Sequence, residues 1–149
     1  MDSRAVAVAA TLLVATLASP AAAQRVIDGD TIDPDGVRWR LWGIDAPERD
    51  QTCGNWTAGV VAAYALADLM RAKTITCELR GHDRYGRSIG LCRADGEDMG
   101  EAMVSTGMAW AFTRYSSDYI SQERAAIGTR LGVHAHDCMK AWDWRRQSR

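Results

Sequence analysis

Net charge is almost absent from this chain. Its 149 residues carry 18 Lys and Arg against 19 Asp and Glu, a formal −1 at pH 7. Tight nonspecific binding to duplex nucleic acid depends on neutralising many phosphates, so the balance counts against an overall grip of that kind. A local cluster of Arg residues with a metal can still hold one phosphate. Long apolar runs are missing after residue 23, which leaves no candidate membrane span in the mature chain. There is no C-x-x-C pair, and His134 and His136 stand only two apart, a pattern that argues against structural zinc. All three histidines, His82 included, are expected on the surface. Repeats, low-complexity tracts and linkers are lacking too, and one compact domain is expected.

What is present begins with a leader. Arg4 gives a positive n-region, residues 5–17 are apolar, and Ala21, Ala22 and Ala23 are small residues ahead of Gln24. This is the pattern of a cleaved secretory signal over residues 1–23, leaving a domain over 24–149. A periplasmic or secreted protein without stable membrane insertion follows. All four cysteines (Cys53, Cys77, Cys92, Cys138) lie after the leader, and an even count in an exported chain favours disulfides. Four cysteines allow three connectivities. A chain reversal around Arg84 and Tyr85 would set Cys77 opposite Cys92 on neighbouring strands. Cys53 and Cys138 would then pair, tying the loop after Glu48 to the C-terminal segment.

Periodicity predicts strands over 24–32, 37–44, 73–79, 88–92 and 108–112. The turn at 33–36 contains Pro34 and Gly36, and Pro47 ends the second strand. An Ala-rich amphipathic helix is expected over 56–70, a second opening on Asp98 with Glu101 three residues on, and a third over 117–129. An irregular tail follows, ending in W-D-W-R-R. Five strands, with the first helix between the second and third, suit a five-stranded OB-fold β-barrel, an α+β fold with about three packed helices.

Two polar segments carry the chemistry. I-D-A-P-E (44–48) gathers two carboxylates around a proline, and D-R-Y-G-R (83–87) lies between strand-like runs; D-G-D-T (28–31) adds two more carboxylates. Arg grips phosphate oxygens as a planar fork, and clustered carboxylates hold hard cations. D-G-D-T alone is weak evidence. The ordered set D-G-D-T, R-L-W-G-I-D-A-P-E, D-R-Y-G-R, G-M-A-W and W-D-W-R-R is strong, and in this order it resembles the staphylococcal-nuclease-like (thermonuclease) family.

The resemblance implies roles, position by position. Arg40 and Arg87 match the phosphate-clamping arginines. Arg38, two residues before Arg40, is a near-equal candidate by local sequence, and the place of Arg40 before L-W-G-I-D-A-P-E selects it. Asp30, Asp45 and the main-chain carbonyl of Ala46 match a Ca²⁺ site, with Asp28 in support. Glu48 matches the glutamate drawn as the base or positioner of water. Tyr85 flanks the nucleotide, Phe112 or Tyr115 offers stacking, and Asp83 and Gly86 shape the turn presenting Arg87. The expected function is a monomeric, secreted, Ca²⁺-dependent nuclease cutting DNA, and RNA as a further substrate, with low sequence specificity and 3′-phosphate products. The alternative is a non-catalytic OB-fold module binding nucleic acid or protein; such domains often lack the arginine and glutamate set present here.

Overall fold

The computed structural model describes residues 23–148, so the leader expected over 1–23 lies, but for its last residue, outside the described residues. β1 (Arg25–Asp28) runs antiparallel to β2 (Thr31–Asp33), with Val26 opposite Ile32. Alternation predicts one strand over 24–32, and the structure breaks it at Gly29 and Asp30. There the Asp28 carboxylate accepts the Asp30 N–H at 3.1 Å, a local bond that competes with the sheet ladder. β2 pairs antiparallel with β3 (Trp39–Leu41) after a turn in which Asp33 accepts the Gly36 N–H at 2.7 Å. The expected strand 37–44 divides as well. Gly43 turns the chain with φ +69°, and β4 (Ile44–Asp45) pairs instead with β8 (Trp110–Ala111).

β5 (Ile75–His82) and β6 (Ser88–Ala94) form an antiparallel hairpin, and β6 lies parallel to β3 with Arg40 beside Ile89. The main sheet runs β1-β2-β3-β6-β5, with β7 (Glu97–Asp98) added to β6. Of the five expected strands the first two are each divided, the next two run slightly longer as Ile75–His82 and Ser88–Ala94, the fifth shortens to Trp110–Ala111, and β7 is new. Cys77 faces Cys92 across the hairpin, and both expected disulfides, Cys77–Cys92 and Cys53–Cys138, are formed.

α1 (Ala58–Met70) buries Ala62, Leu66 and Met70 in a core shared with Ile32, Leu41 and Ile44. It starts later than expected because Cys53 and Trp56 exchange backbone hydrogen bonds just before it. α2 (Met99–Ser105) opens on Asp98, whose Oδ1 accepts the N–H groups of Gly100 and Glu101 at 2.9 and 3.2 Å, as the capping pattern predicts. α3 (Ile120–Gly128) packs beside α2, and the Tyr119 hydroxyl donates to Asp98 at 3.0 Å.

The irregular tail is where expectation and structure part. Residues 141–147 form a fourth helix, α4 (Ala141–Gln147). Seven residues make a marginal helix alone, but Ala141 is fully buried and Trp142 packs edge-on against Trp110 at 6.4 Å. Tertiary anchoring supplies what local propensity does not. His134 is a second correction: it is half-buried, and its Nε2 is buried with no hydrogen-bond partner among the described residues. The turn Gly132–His134 tucks Val133 into the small core beneath α4, taking His134 with it. Burial lowers its pKa. Among the described residues no helix is long and apolar enough to cross a membrane.

Candidate active site

A cleft of about 720 Å³ opens where β1, β3, the loop after β4, the β5–β6 turn and α4 meet. Asp30, Arg40, Ala46, Glu48, Tyr85 and Arg87 all line it, and Asp45 lies fully buried against it, bonded to Arg40. Arg38 is exposed ahead of β3 and does not line the cleft. Six arginines line the wall (Arg40, Arg84, Arg87, Arg114, Arg145, Arg146) against four carboxylates (Asp28, Asp30, Glu48, Asp83). A chain almost neutral overall has therefore concentrated positive charge at one place, where it acts on a bound anion over short range.

The floor of the cleft is different. Arg40 Nη2 reaches Asp45 Oδ1 at 2.5 Å and Asp30 Oδ2 at 3.0 Å. Burial opposes the charge on Arg40, yet these two carboxylates raise its pKa overall. Glu48 pairs with Arg145 rather than with Arg40. Burial raises the Asp45 carboxyl above its usual range despite hydrogen bonds from Arg145. Asp28 is pushed up to about 7, first by burial and then by the neighbouring Asp30 charge.

Asp30 Oδ2 also accepts the Ala46 N–H at 3.3 Å, so Asp30, Asp45 and Ala46 adjoin one another. With all groups ionised, Asp28, Asp30, Asp45 and Glu48 against Arg40 and Arg145 leave two negative charges in excess. Among the described residues Asp45 Oδ2 accepts a hydrogen bond only from Arg145 and retains acceptor capacity. Among the described residues no group of three or more His, Cys, Asp and Glu has metal-holding geometry. Two carboxylates and a carbonyl nevertheless fit a hard, oxygen-seeking cation that keeps part of its shell for other ligands.

The β5–β6 turn is organised by Asp83. Its Oδ1 accepts the N–H groups of Tyr85 and Arg87 at 2.8 and 3.0 Å, and its Oδ2 accepts Arg87 Nε at 2.6 Å. Gly86 takes φ +79° to close the turn. Arg87 lines the cleft with its Nε held by Asp83, with Tyr85 exposed beside it and Arg84 4.8 Å from the Tyr85 ring. Phe112, Tyr115 and Trp142 supply an aromatic wall, with Phe112 5.0 Å from Tyr115 and 5.4 Å from Trp142.

Close packing of α1 fixes the loop that carries Glu48. A Cβ at Gly59 would sit 1.9 Å from the Glu48 carbonyl oxygen and 2.8 Å from Arg49 backbone atoms. Gly59→Ala is therefore expected to push the loop off the helix and to destabilise by about 2–3 kcal/mol, toward the upper end of overpacking effects. Urea denaturation reads the loss, and an unchanged midpoint would contradict the packing described here.

Sequence reading misses Arg145, Arg114, Trp142 and Gln51. Gln51 is buried; its Oε1 accepts the Glu48 N–H at 3.1 Å and its Nε2 donates to the Met139 carbonyl at 2.6 Å. The signal for the C-terminal residues was available: a Cys53–Cys138 pair brings the tail to the loop after Glu48, and Ala141, Trp142 and Arg145 share a helical face.

The staphylococcal nuclease homologue family model matches residues 38–134. The chain is 35% identical over 164 aligned positions to protein ParB of Escherichia coli, covering 94% of this chain and 90% of that protein. It is 35% identical to an uncharacterised endonuclease of Escherichia coli O157:H7, covering 81% of each. It is also 34% identical to a micrococcal nuclease of Shigella flexneri, covering 98% and 93%. The family fold is the OB-fold, in agreement with the α+β arrangement of sheet and helices here. On the extent of the family match and the near-full-length identity to these proteins, the chain belongs to the staphylococcal nuclease family.

Proposed function

We propose that this protein is an exported, Ca²⁺-dependent endonuclease that hydrolyses phosphodiester bonds in DNA and RNA with low sequence specificity, leaving 3′-phosphate ends. The observation that carries the reading is the convergence of Arg40, Glu48 and Arg87 on one cationic cleft beside the Asp30–Asp45–Ala46 oxygen cluster. Family membership and relatives named as nucleases support it. Two disulfides and the absence of a membrane-spanning helix among the described residues are compatible with export.

A phosphodiester resists attack because it is anionic and its leaving alkoxide is poor. Arg87, steadied through Nε by Asp83, has its Nη donors left for phosphoryl oxygens and for charge growing on the departing 5′ oxygen. Arg40 donates to the same phosphoryl group from the floor, where the Asp30 and Asp45 carboxylates hold it in place. Glu48 positions a water and takes its proton. Asp30, Asp45 and the Ala46 carbonyl would hold the cation, which supplies charge withdrawal from the phosphate and draws the reactants together. Tyr85 and the Phe112–Tyr115–Trp142 wall stack on bases without reading them, which suits low sequence specificity.

The test is incubation of the purified mature protein with single-stranded DNA, duplex DNA and RNA, with Ca²⁺ or with excess chelator. Cleavage in Ca²⁺ that ends on chelation is expected, with Mg²⁺ supporting less because it demands tighter octahedral geometry. Full cleavage in chelator removes the Ca²⁺ assignment, and no cleavage in Ca²⁺ removes the enzyme in favour of a binding module.

A further inference from the structure

Arg145 lies beyond the residues matched to the family model, on a helix that local sequence does not announce. Its guanidinium nevertheless makes the densest set of ionic contacts in the cleft. Nη2 donates to Asp45 Oδ2 at 2.8 Å, Nη1 to Asp45 Oδ1 at 3.1 Å, and Nη1 also to Glu48 Oε1. Burial works against its charge, but hydrogen bonds to Asp45 and Glu48 raise its pKa overall. Asp45 is fully buried and Arg145 about one-third exposed, so the contact reaches from the rim to the floor.

We infer that Arg145 is a positioning residue for phosphodiester cleavage, its guanidinium fixing the Glu48 carboxylate against Asp45. This rests on the nuclease reading above. A Glu side chain has three rotatable bonds, and fixing it in a productive geometry lowers the entropy the reaction step must supply. With Oε1 engaged by Arg145, the other oxygen, Oε2, is left to accept a proton from water. The backbone of the same residue is held from the same direction: Gln51 joins the Glu48 N–H to the Met139 carbonyl. The Cys53–Cys138 bridge and the Trp142 contacts with Trp110 and Phe112 fix the helix that delivers Arg145. Glu48 is thus held at its carboxylate by the C-terminal segment and at its amide by Gln51, which that segment anchors through Met139.

The same contact predicts an opposite effect on cation binding. A guanidinium beside Asp45 repels a divalent ion, so removing it should favour the ion while disfavouring turnover. Arg145→Gln is expected to lower kcat about ten- to a hundredfold with KM little changed. In the absence of nucleic acid, its Ca²⁺ affinity measured by calorimetry should tighten about three- to tenfold. Arg145→Lys keeps the charge but loses the two-point fork; it should bind Ca²⁺ like the parent and still turn over at least about tenfold slower.

A purely structural role would weaken Ca²⁺ binding and turnover together in both variants, and that result overturns the inference. So does faster cleavage by Arg145→Gln with tighter Ca²⁺ binding, which would make Arg145 an occupant that blocks the site. If Arg145→Gln melts far below the parent, Arg145→Lys carries the test, and parental kcat in that variant overturns the inference. The parent is the control that keeps the two readings apart. A parent that cleaves nothing sinks the nuclease reading, whereas an active parent matched by Arg145→Lys sinks only the role of Arg145.

Discussion

Arg87→Ala is expected to slow cleavage about a hundred- to a thousandfold, the effect of losing one charge-assisted donor worth about 3–4 kcal/mol at an oxyanion site. It is the cleaner of the two arginine tests. When Arg87 goes, Asp83 keeps the Tyr85 and residue-87 N–H groups as partners, so the turn retains its organisation. Arg40→Ala should cost a similar factor in rate and more in stability, because buried Asp30 and Asp45 lose their shared partner. Breaking a buried pair of this kind costs about 3–5 kcal/mol. Glu48→Gln is nearly isosteric and still offers Arg145 an oxygen, so it should slow turnover strongly with the fold intact. It should change binding of a nonhydrolysed oligonucleotide far less. Steady-state cleavage rates check all three, with a melting curve for each variant; three variants that cut like the parent would end the catalytic assignment of these residues.

The second large effect is on stability. In the loop-entropy account, closing a 15-residue loop contributes about 3 kcal/mol and a loop near 100 residues about 4.7 kcal/mol. Cys77–Cys92 spans 15 residues and Cys53–Cys138 spans 85. Replacing both members of the longer bridge by serine is therefore expected to cost about 4–5 kcal/mol, more than the same change at the hairpin. Guanidinium denaturation of the two double variants provides the comparison, and a smaller loss for the longer bridge would count against it. The longer bridge also holds the helix bearing Arg145, so its loss should lower activity as well, while the hairpin variant keeps most of its rate.

Much of this was legible before the structure. Asp98 and Glu101 announced a helix start that the backbone then uses, because a cap is decided by residues within one turn. The cysteine pairing was legible for a similar reason: a hairpin centred near Tyr85 dictates which positions face each other. The short polar segments carried the family and its candidate residues. What was hidden depends on contacts distant in sequence. Nothing near Gly29 says that the Asp28 carboxylate will cap Asp30 and split the first strand. The tail reads as irregular because seven residues give weak helical periodicity, and only Trp110, more than thirty positions away, explains why they fold. Arg145 and Gln51 stay hidden likewise, since their partners lie about a hundred and about ninety positions off.

The parallel register of β3 on β6 has a consequence for how competence is acquired during folding. Trp39 lies beside Ser88 and Arg40 beside Ile89, so the position of Arg40 relative to Arg87 is set by a pairing between strands separated by α1 and β5. A slip of one residue would turn Arg40 to the opposite face of the sheet and take its guanidinium away from Asp30 and Asp45, while leaving most backbone hydrogen bonds countable. Gly90 guards against this error: a Cβ there would meet the Trp39 ring at 2.5 Å, so the indole lies over a position, two beyond its partner Ser88, that takes only a glycine. The register is thereby proofread by shape, and Arg40 and Arg87 inherit their alignment from the fit of Trp39 over Gly90.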